Sequence, residues 1–253
     1  MARQVSLVKF EGKIGDLSFY KSKFGHQARM KSGPTKEQIN NDPRFQRTKE
    51  NGQEFGRAAN AAKQLREQLR TLLAQGADTQ FSNRLTSRMH RILKADQVNE
   101  RGERRVLVPN LPLLIGTEAN LKAQLGEVFF LGARPAFDRA TGEGVLELPE
   151  MAARTVIKGL AGATHVQFQI VVAEFDANSS AANAVAVGRS SYIDIGKSEL
   201  TAPETLRVEL QPQAGSAVIV LMGISYFQEV NSGYYPLSNG QYNALTIVDV
   251  DLP

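Results

Sequence analysis

Apolar positions recur along the chain with two different periods, and the change of period divides it. Between residues 42 and 76, Phe55, Ala58, Ala62, Leu65, Leu69 and Leu72 step by three and four, which is the seam of an amphipathic helix. Asp42 stands where an N-cap carboxylate accepts from first-turn N–H groups. Pro43 follows at the first helical position, and Gly76 stands at the far end. Gly52 and Gly56 each weaken the first half by about 1 kcal/mol relative to alanine. Ala58 and Ala62 leave room there for a close neighbour. The pattern fits a core helix, or a helix that also pairs between subunits. A second helix follows at once, with Asp78 as its cap and Phe81, Leu85, Met89 and Ile92 on one face. The short link between the two makes them antiparallel neighbours.

Either side of the helices the period falls to two. In residues 5–30, Val5, Leu7 and Phe10 are assigned to a first strand and residues 17–20, with Leu17 and Phe19, to a second. Residues 26–30 form the return strand. Residues 31–40 read as a polar loop. Beyond residue 126, strands are expected at 128–131, 136–139, 145–148, 164–175, 190–195, 205–211, 216–228 and 241–250, with a short one also at 106–109. Val166, Phe168 and Ile170 point one way, with Gln167 and Gln169 opposite. Residues 141–144 and the pair Asn239-Gly240 read as hairpin turns. The fold expected is α+β: an N-terminal β-hairpin plus an antiparallel helical hairpin, followed by an antiparallel β-sandwich. Domain boundaries are placed at 1–105 and 126–253, with a linker over 106–125 that includes a short helical stretch at 117–125.

Charge sharpens that division. Residues 1–110 carry 22 of the 30 Lys and Arg but 11 of the 26 Asp and Glu, a net of +11. Residues 111–253 carry 8 and 15, a net of −7. A basic half meets nucleic acid or an anionic surface, or the acidic half of another copy, and otherwise is a solvated surface. The candidate nucleic-acid contacts are Arg57, Lys63, Arg66, Arg70, Arg84, Arg88 and Arg91. Acids at helical offsets among them, such as Glu54 and Glu67, fit a self-paired exposed helix equally well.

Catalytic and metal-binding patterns are sparse. There is no cysteine, and His26, His90 and His165 lack ligand spacing. Ser190 and Ser191 near Asp194 have no nearby histidine for a triad, and no glycine pattern fits a phosphate loop. Glu147 and Glu150 are read as a solvated edge, and Asp176 with Asn178 supplies too few oxygens for calcium. Asn178, Ser179 and Ser180 form a glycosylation triplet that is discounted without a leader. No cofactor and no metal is expected. Neither a membrane span nor an apolar leader is apparent, so cytoplasmic synthesis is expected, with release or export as an assembly.

One block carries a resemblance. Gly12-Lys-Ile-Gly15 and the segment through Lys23, Arg29-Met-Lys31, Asn41-Asp-Pro-Arg-Phe-Gln-Arg-Thr-Lys-Glu-Asn51 and Glu54-Phe-Gly56 resemble a family of uncharacterised bacterial proteins. That family shares a GK(I/V)G hairpin, an NDPxFxRTxENxxEF helix start and a helical hairpin over roughly the first 105 residues. Phe24-Gly25-His26 stands where the family often has a polar turn. The resemblance implies no activity and brings no catalytic residue.

The leading expectation is a non-enzymatic structural protein that assembles head to tail with itself into a ring, tube or filament. The interface residues are Val5, Leu7, Leu17, Phe19, Phe55, Ala58, Ala62, Leu65 and Leu69, packed on a neighbour's sandwich. The alternatives are nucleic-acid binding by the basic half, and carbohydrate or peptide binding. The last would use the loop 176–187 and Tyr226, Phe227, Tyr234, Tyr235 and Tyr242.

Overall fold

A computed structural model describes residues 2–5, 7–30, 33–178 and 184–253. The chain forms two compact units, Met1–Glu50 and Asn51–Pro253.

The first unit is a four-stranded antiparallel sheet in the order β1-β4-β3-β2, made of β1 (Ala2–Arg3), β2 (Gly12–Ile14), β3 (Leu17–Ser22) and β4 (Gly25–Met30). The expected first strand is displaced. Val5 lies outside any strand, as does Leu7, and both are exposed; the pairing residues are Ala2 and Arg3, opposite Ala28 and Gln27. The segment read as a polar loop contains α1 (Lys36–Asn41). Thr35 and Gln38 form a reciprocal capping box there, with the Gln38 N–H donating to the Thr35 hydroxyl at 3.2 Å and the Thr35 N–H to the Gln38 amide oxygen at 2.7 Å. Asp42 closes α1 and caps the 3₁₀ turn Pro43–Phe45, accepting from Arg44 N–H, so the long helix α2 (Gln46–Gln68) begins after that turn.

In the second unit α2 is followed by α3 (Arg70–Leu73) and α4 (Phe81–Lys94), then a 3₁₀ stretch at Val108–Leu114 where a strand was expected. The order continues with α5 (Leu125–Val128), β5 (Ala136–Asp138), β6 (Glu143–Leu148), α6 (Ala153–Val156), β7 (His165–Phe175), β8 (Val185–Arg189), β9 (Ile193–Asp194), β10 (Glu204–Glu209), β11 (Ala217–Val230), β12 (Gly233–Pro236) and β13 (Ala244–Asp251). The fold is mixed α+β. One antiparallel sheet is centred on β11, which pairs with β7 on one side and with β13 and β12 on the other; β8 and β9 pair with β7. A second sheet has the order β10-β6-β5.

Period-two alternation explains why β7 and β11 are buried on both faces. Val171, Ala173 and Phe175 of β7, with Ala217, Ile219 and Leu221 of β11, share a core with α2 and α4. Val166, Phe168, Ile170 and Val172, with Val218, Val220, Met222 and Ile224, share another with Leu146 and Leu148 of β6 and Leu206 and Val208 of β10. Residues 106–125, read from the sequence as a linker, give Val106, Leu111, Leu114 and Ala119 to the helix-side core. The expected helix at 117–125 is absent up to residue 124, and α5 begins only at Leu125. Residues 116–119 instead follow the edge of β13, with Gly116 and Ala119 N–H donating to the Ile247 and Leu245 carbonyls and Ile247 N–H to the Thr117 carbonyl. Residues 128–131 also depart from the expected strand, because α5 ends at Val128 and Phe129 makes only an isolated bridge to Ile157.

The β11–β12 turn had no glycine signal. Asn231 (φ 50°) and Ser232 (φ 64°) both take left-handed backbone between paired Val230 and Gly233, the signature of a two-residue hairpin loop. Asn239-Gly240, which did carry that signal, lies instead in a 3₁₀ turn, Leu237–Gly240. There Gly240 sits at φ 80° with the Gln75 carbonyl so close that any Cβ would collide with it.

Candidate functional site

The helix seam is an internal core rather than a surface. Ala58, Ala62, Leu65 and Leu69 are buried against α4 and the central sheet, so these four expected interface residues are unavailable to another subunit. Phe55 departs from the seam. It is 53% exposed and lies edge-on to His90, with ring centroids 6.0 Å apart.

The basic side chains are divided in their uses. Arg57 donates to the backbone oxygens of Gly102 and Arg104, and Arg84 donates to Asp78 at 2.8 Å and to the Glu118 and Ala119 carbonyls. Both serve the fold. Burial pushes the Asp78 carboxyl upward, but hydrogen bonds from Arg84, Leu121 N–H and Gln80 N–H outweigh it and hold its pKa at about 2. Lys63 pairs with Glu67 at 3.6 Å. Arg66 and Arg88 are half-buried, while Arg70 and Arg91 are exposed.

The first unit is the opposite of the helix core. None of its described residues is buried. Register places its side chains. Ile14 pairs with Leu17, Leu17 with Met30, and Phe19 with Ala28, so these five lie on one face. Phe10 joins them, its ring 5.7 Å from that of Phe19. Ser18, Tyr20, Gln27 and Arg29 occupy the other face, where the Arg29 guanidinium lies over the Tyr20 ring. The sheet is thus amphipathic with its apolar face bare; Ile14 is 61% and Met30 68% exposed.

A second candidate site lies in the second unit. On the helix side of the central sheet, β7 and β11 change character partway. Beyond Val171 and Leu221, the same face continues as Gln169 and Gln167 on β7 and as Gly223, Ser225 and Phe227 on β11. Helices cover the apolar half. The polar half forms the floor of a cavity of about 380 Å³, walled by Ala74, Gln75, Arg189, Pro236, Gly240 and Asn243. Asn243 fixes this wall. Its amide N–H donates to the Gln75 carbonyl at 2.8 Å, and its oxygen accepts from Tyr226 N–H at 3.0 Å. Gly223 pairs with Gln169 across the strands, and any Cβ there would strike the Gln169 amide. That glycine lets the glutamine lie flat across the sheet.

Beside the cavity lies a shelf of aromatic rings. Tyr192 stacks on Tyr234 at 4.0 Å and meets Phe227 edge-on at 5.0 Å, and His165 meets Tyr234 edge-on at 4.9 Å. Of the aromatics expected to recognise a ligand, Phe227 and Tyr234 belong to this group, while Tyr235 and Tyr242 are exposed outside it. Tyr226 is excluded, since it is fully buried with its hydroxyl donating to the Lys158 carbonyl at 2.7 Å. Tyr192 was missed because it stands alone in the sequence. Part of the loop 176–187, including Ser179 and Ser180 of the glycosylation triplet, lies outside the described residues.

Among the described residues, no group of three or more His, Asp and Glu is placed to hold a metal, and no helix is long and apolar enough to cross a membrane. In comparison with known proteins, the chain matches no family model, no curated protein and no solved structure.

Proposed function

We propose that the chain is a structural protein that assembles with copies of itself, and that the apolar face of its N-terminal sheet is the surface that docks. One observation carries this reading: a four-stranded sheet with an apolar face and no buried residue of its own. Burying one large apolar side chain contributes about 1.5–3 kcal/mol. Association costs about 4–15 kcal/mol in lost freedom of motion. One side chain cannot offset that cost, whereas the set of Phe10, Ile14, Leu17, Phe19 and Met30 reaches it.

The partner is a second copy, and charge supports that choice. Residues 1–50 carry 11 Lys and Arg against 5 Asp and Glu, whereas the chain's acid excess lies in residues 111–253. Such a contact joins different surfaces of two copies, so repetition closes a ring or runs on as a filament. Leu17 and Phe19 keep the interface role expected of them, joined by Ile14 and Met30.

The test is sedimentation velocity over a concentration series of the full chain and of a Leu17→Asp, Met30→Asp variant. Both substituted side chains are exposed, so the fold persists and circular dichroism verifies it. Concentration-dependent assembly of the natural chain, with a monomeric variant, is the expected result. A natural chain that stays monomeric throughout, or a variant that assembles equally well, overturns the proposal.

A further inference from the structure

We propose that the cavity over the uncovered half of the central sheet binds a saccharide bearing a carboxylate. The site starts from the strand pattern. β7 and β11 bury apolar side chains wherever helices cover them, and turn polar where the helices stop. Two of the polar side chains there are nevertheless well buried. Gln169 is 5% exposed and Ser225 9%, yet neither side chain makes a hydrogen bond among the described residues. Both groups open on the cavity, so a ligand that hydrogen-bonds them takes the place of solvent there.

The chemistry of the walls selects the ligand. Amides and hydroxyls both donate and accept, as do the vicinal hydroxyls of a sugar. The amide of Gln167 donates to the Ser190 carbonyl at 2.9 Å, which turns its free oxygen into an additional acceptor. Among the described residues, Arg189 is the one charged residue lining the cavity, and it has no ion pair with any of them. With a cation and no carboxylate on the walls, the cavity favours an anionic group, and guanidinium matches a carboxylate in two-point geometry. Phe227 supplies an apolar wall for the C–H face of a sugar ring. The stacked pair of Tyr192 and Tyr234 continues that wall beyond the cavity mouth, where a second ring of an oligosaccharide would rest. A volume of about 380 Å³ holds one or two rings.

The site binds and does not cleave. Glycoside hydrolysis in its usual form uses two carboxylates flanking the bond, and among the described residues none lines this cavity. Nor does Ser225 have a hydrogen-bonded base to activate it.

Titration calorimetry with the full chain tests the proposal. The probes are trigalacturonate and 3′-sialyllactose, with galactotriose and lactose as neutral counterparts and a short peptide with a free C-terminus as a competing carboxylate. The expected result is binding of at least one acidic saccharide, tenfold or more above its neutral counterpart. Arg189→Gln should erase that preference, and Gln169→Ala should weaken acidic and neutral probes alike. Ser225→Ala, which removes one oxygen and leaves the strand intact, should weaken binding several-fold with an unchanged melting temperature. No heat from any saccharide at millimolar concentration, equal affinity for acidic and neutral probes, or tighter binding of the peptide overturns the proposal. The assembly variant Leu17→Asp, Met30→Asp should bind as the natural chain does, which keeps the two proposals separable.

Discussion

Replacing Asp96 by asparagine should destabilise the second unit in a way that depends on pH. Asp96 follows α4 and is 3% exposed. Its carboxylate accepts from Val98 and Asn99 N–H at 2.8 and 3.0 Å, from the Asn99 side-chain amide at 2.8 Å and from Arg105 N–H at 2.9 Å. It thereby shapes the loop that carries Gly102, whose own N–H donates to the buried Glu54 on α2 at 2.8 Å. Burial pushes the carboxyl upward, but these hydrogen bonds outweigh burial and lower its pKa from 3.8 to about 2. At 1.36 kcal/mol per unit, the ionised group contributes about 2 kcal/mol at neutral pH. A depressed pKa gives stability that is present above the unfolded value and lost as pH falls through the folded one. The contribution is therefore complete above pH ~5, about half remains at pH 3, and little remains at pH 2.

Asparagine keeps one acceptor oxygen and sets an amide donor against N–H donors. The expected loss is about 2–3 kcal/mol at pH 7, or about 5–10 °C in Tm for a unit of this size. Urea melts of both proteins at pH 7, 4, 3 and 2.5 read the difference directly. Other carboxyls, Asp78 among them, titrate in both proteins and cancel. A gap that is the same at pH 7 and pH 2.5 would refute the assigned role of the charge, and no gap at all would refute the hydrogen-bond geometry.

Four further outcomes follow from the packing. Ala62→Leu should lower stability by about 1–3 kcal/mol, because Ala62 is fully buried and extra methyl groups overpack the site; a urea midpoint equal to that of the natural chain would return Ala62 to a surface. Tyr226→Phe should cost about 1 kcal/mol through loss of the hydrogen bond to Lys158. Burial raises the Tyr226 pKa to about 12, so ultraviolet titration up to pH 11 should give the natural chain and Tyr226→Phe the same tyrosinate signal; a larger signal from the natural chain would contradict this. Gly240→Ala should destabilise the cavity rim by more than about 2 kcal/mol, because its Cβ meets the Gln75 carbonyl and its backbone is left-handed; a thermal melt within a degree of the natural chain would sink that claim.

What could be read from the sequence followed periodicity. The faces of α4 and β7 were legible from their patterns, as with Phe81, Leu85, Met89 and Ile92, and β11 was legible as a strand. The strand β1 was not legible. Val5 and Leu7 are the apolar residues of that stretch, but pairing fell to Ala2 and Arg3, whose backbone reaches β4. The capping box of Thr35 and Gln38 was overlooked because the surrounding residues are polar throughout. Asn231 and Ser232 form a turn usually signalled by glycine, since the strands on both sides hold them there. The candidate cavity was half visible. Gln167 and Gln169 stood out as polar positions on a buried strand, but a linear pattern does not state where the helices stop covering a sheet. Nor does it show that Tyr192 stacks on Tyr234, because nothing local links residues so far apart.

The burial of β7 and β11 on both faces has a consequence for how the chain is made. α4 ends at Lys94, while β7 begins at His165 and β13 ends at Asp251. At about 5–20 residues per second, the helices leave the ribosome on the order of ten seconds before the last strand that completes their layer. Until then α2, α4 and residues 106–119 have one another but not the complete sheet that shares their core. The stretch 217–227, almost wholly apolar and uncharged, then emerges as a segment prone to pair with its like in neighbouring nascent chains. Yield in a cell should thus depend on the rate of translation and on holdase chaperones more than on the final stability of the folded protein.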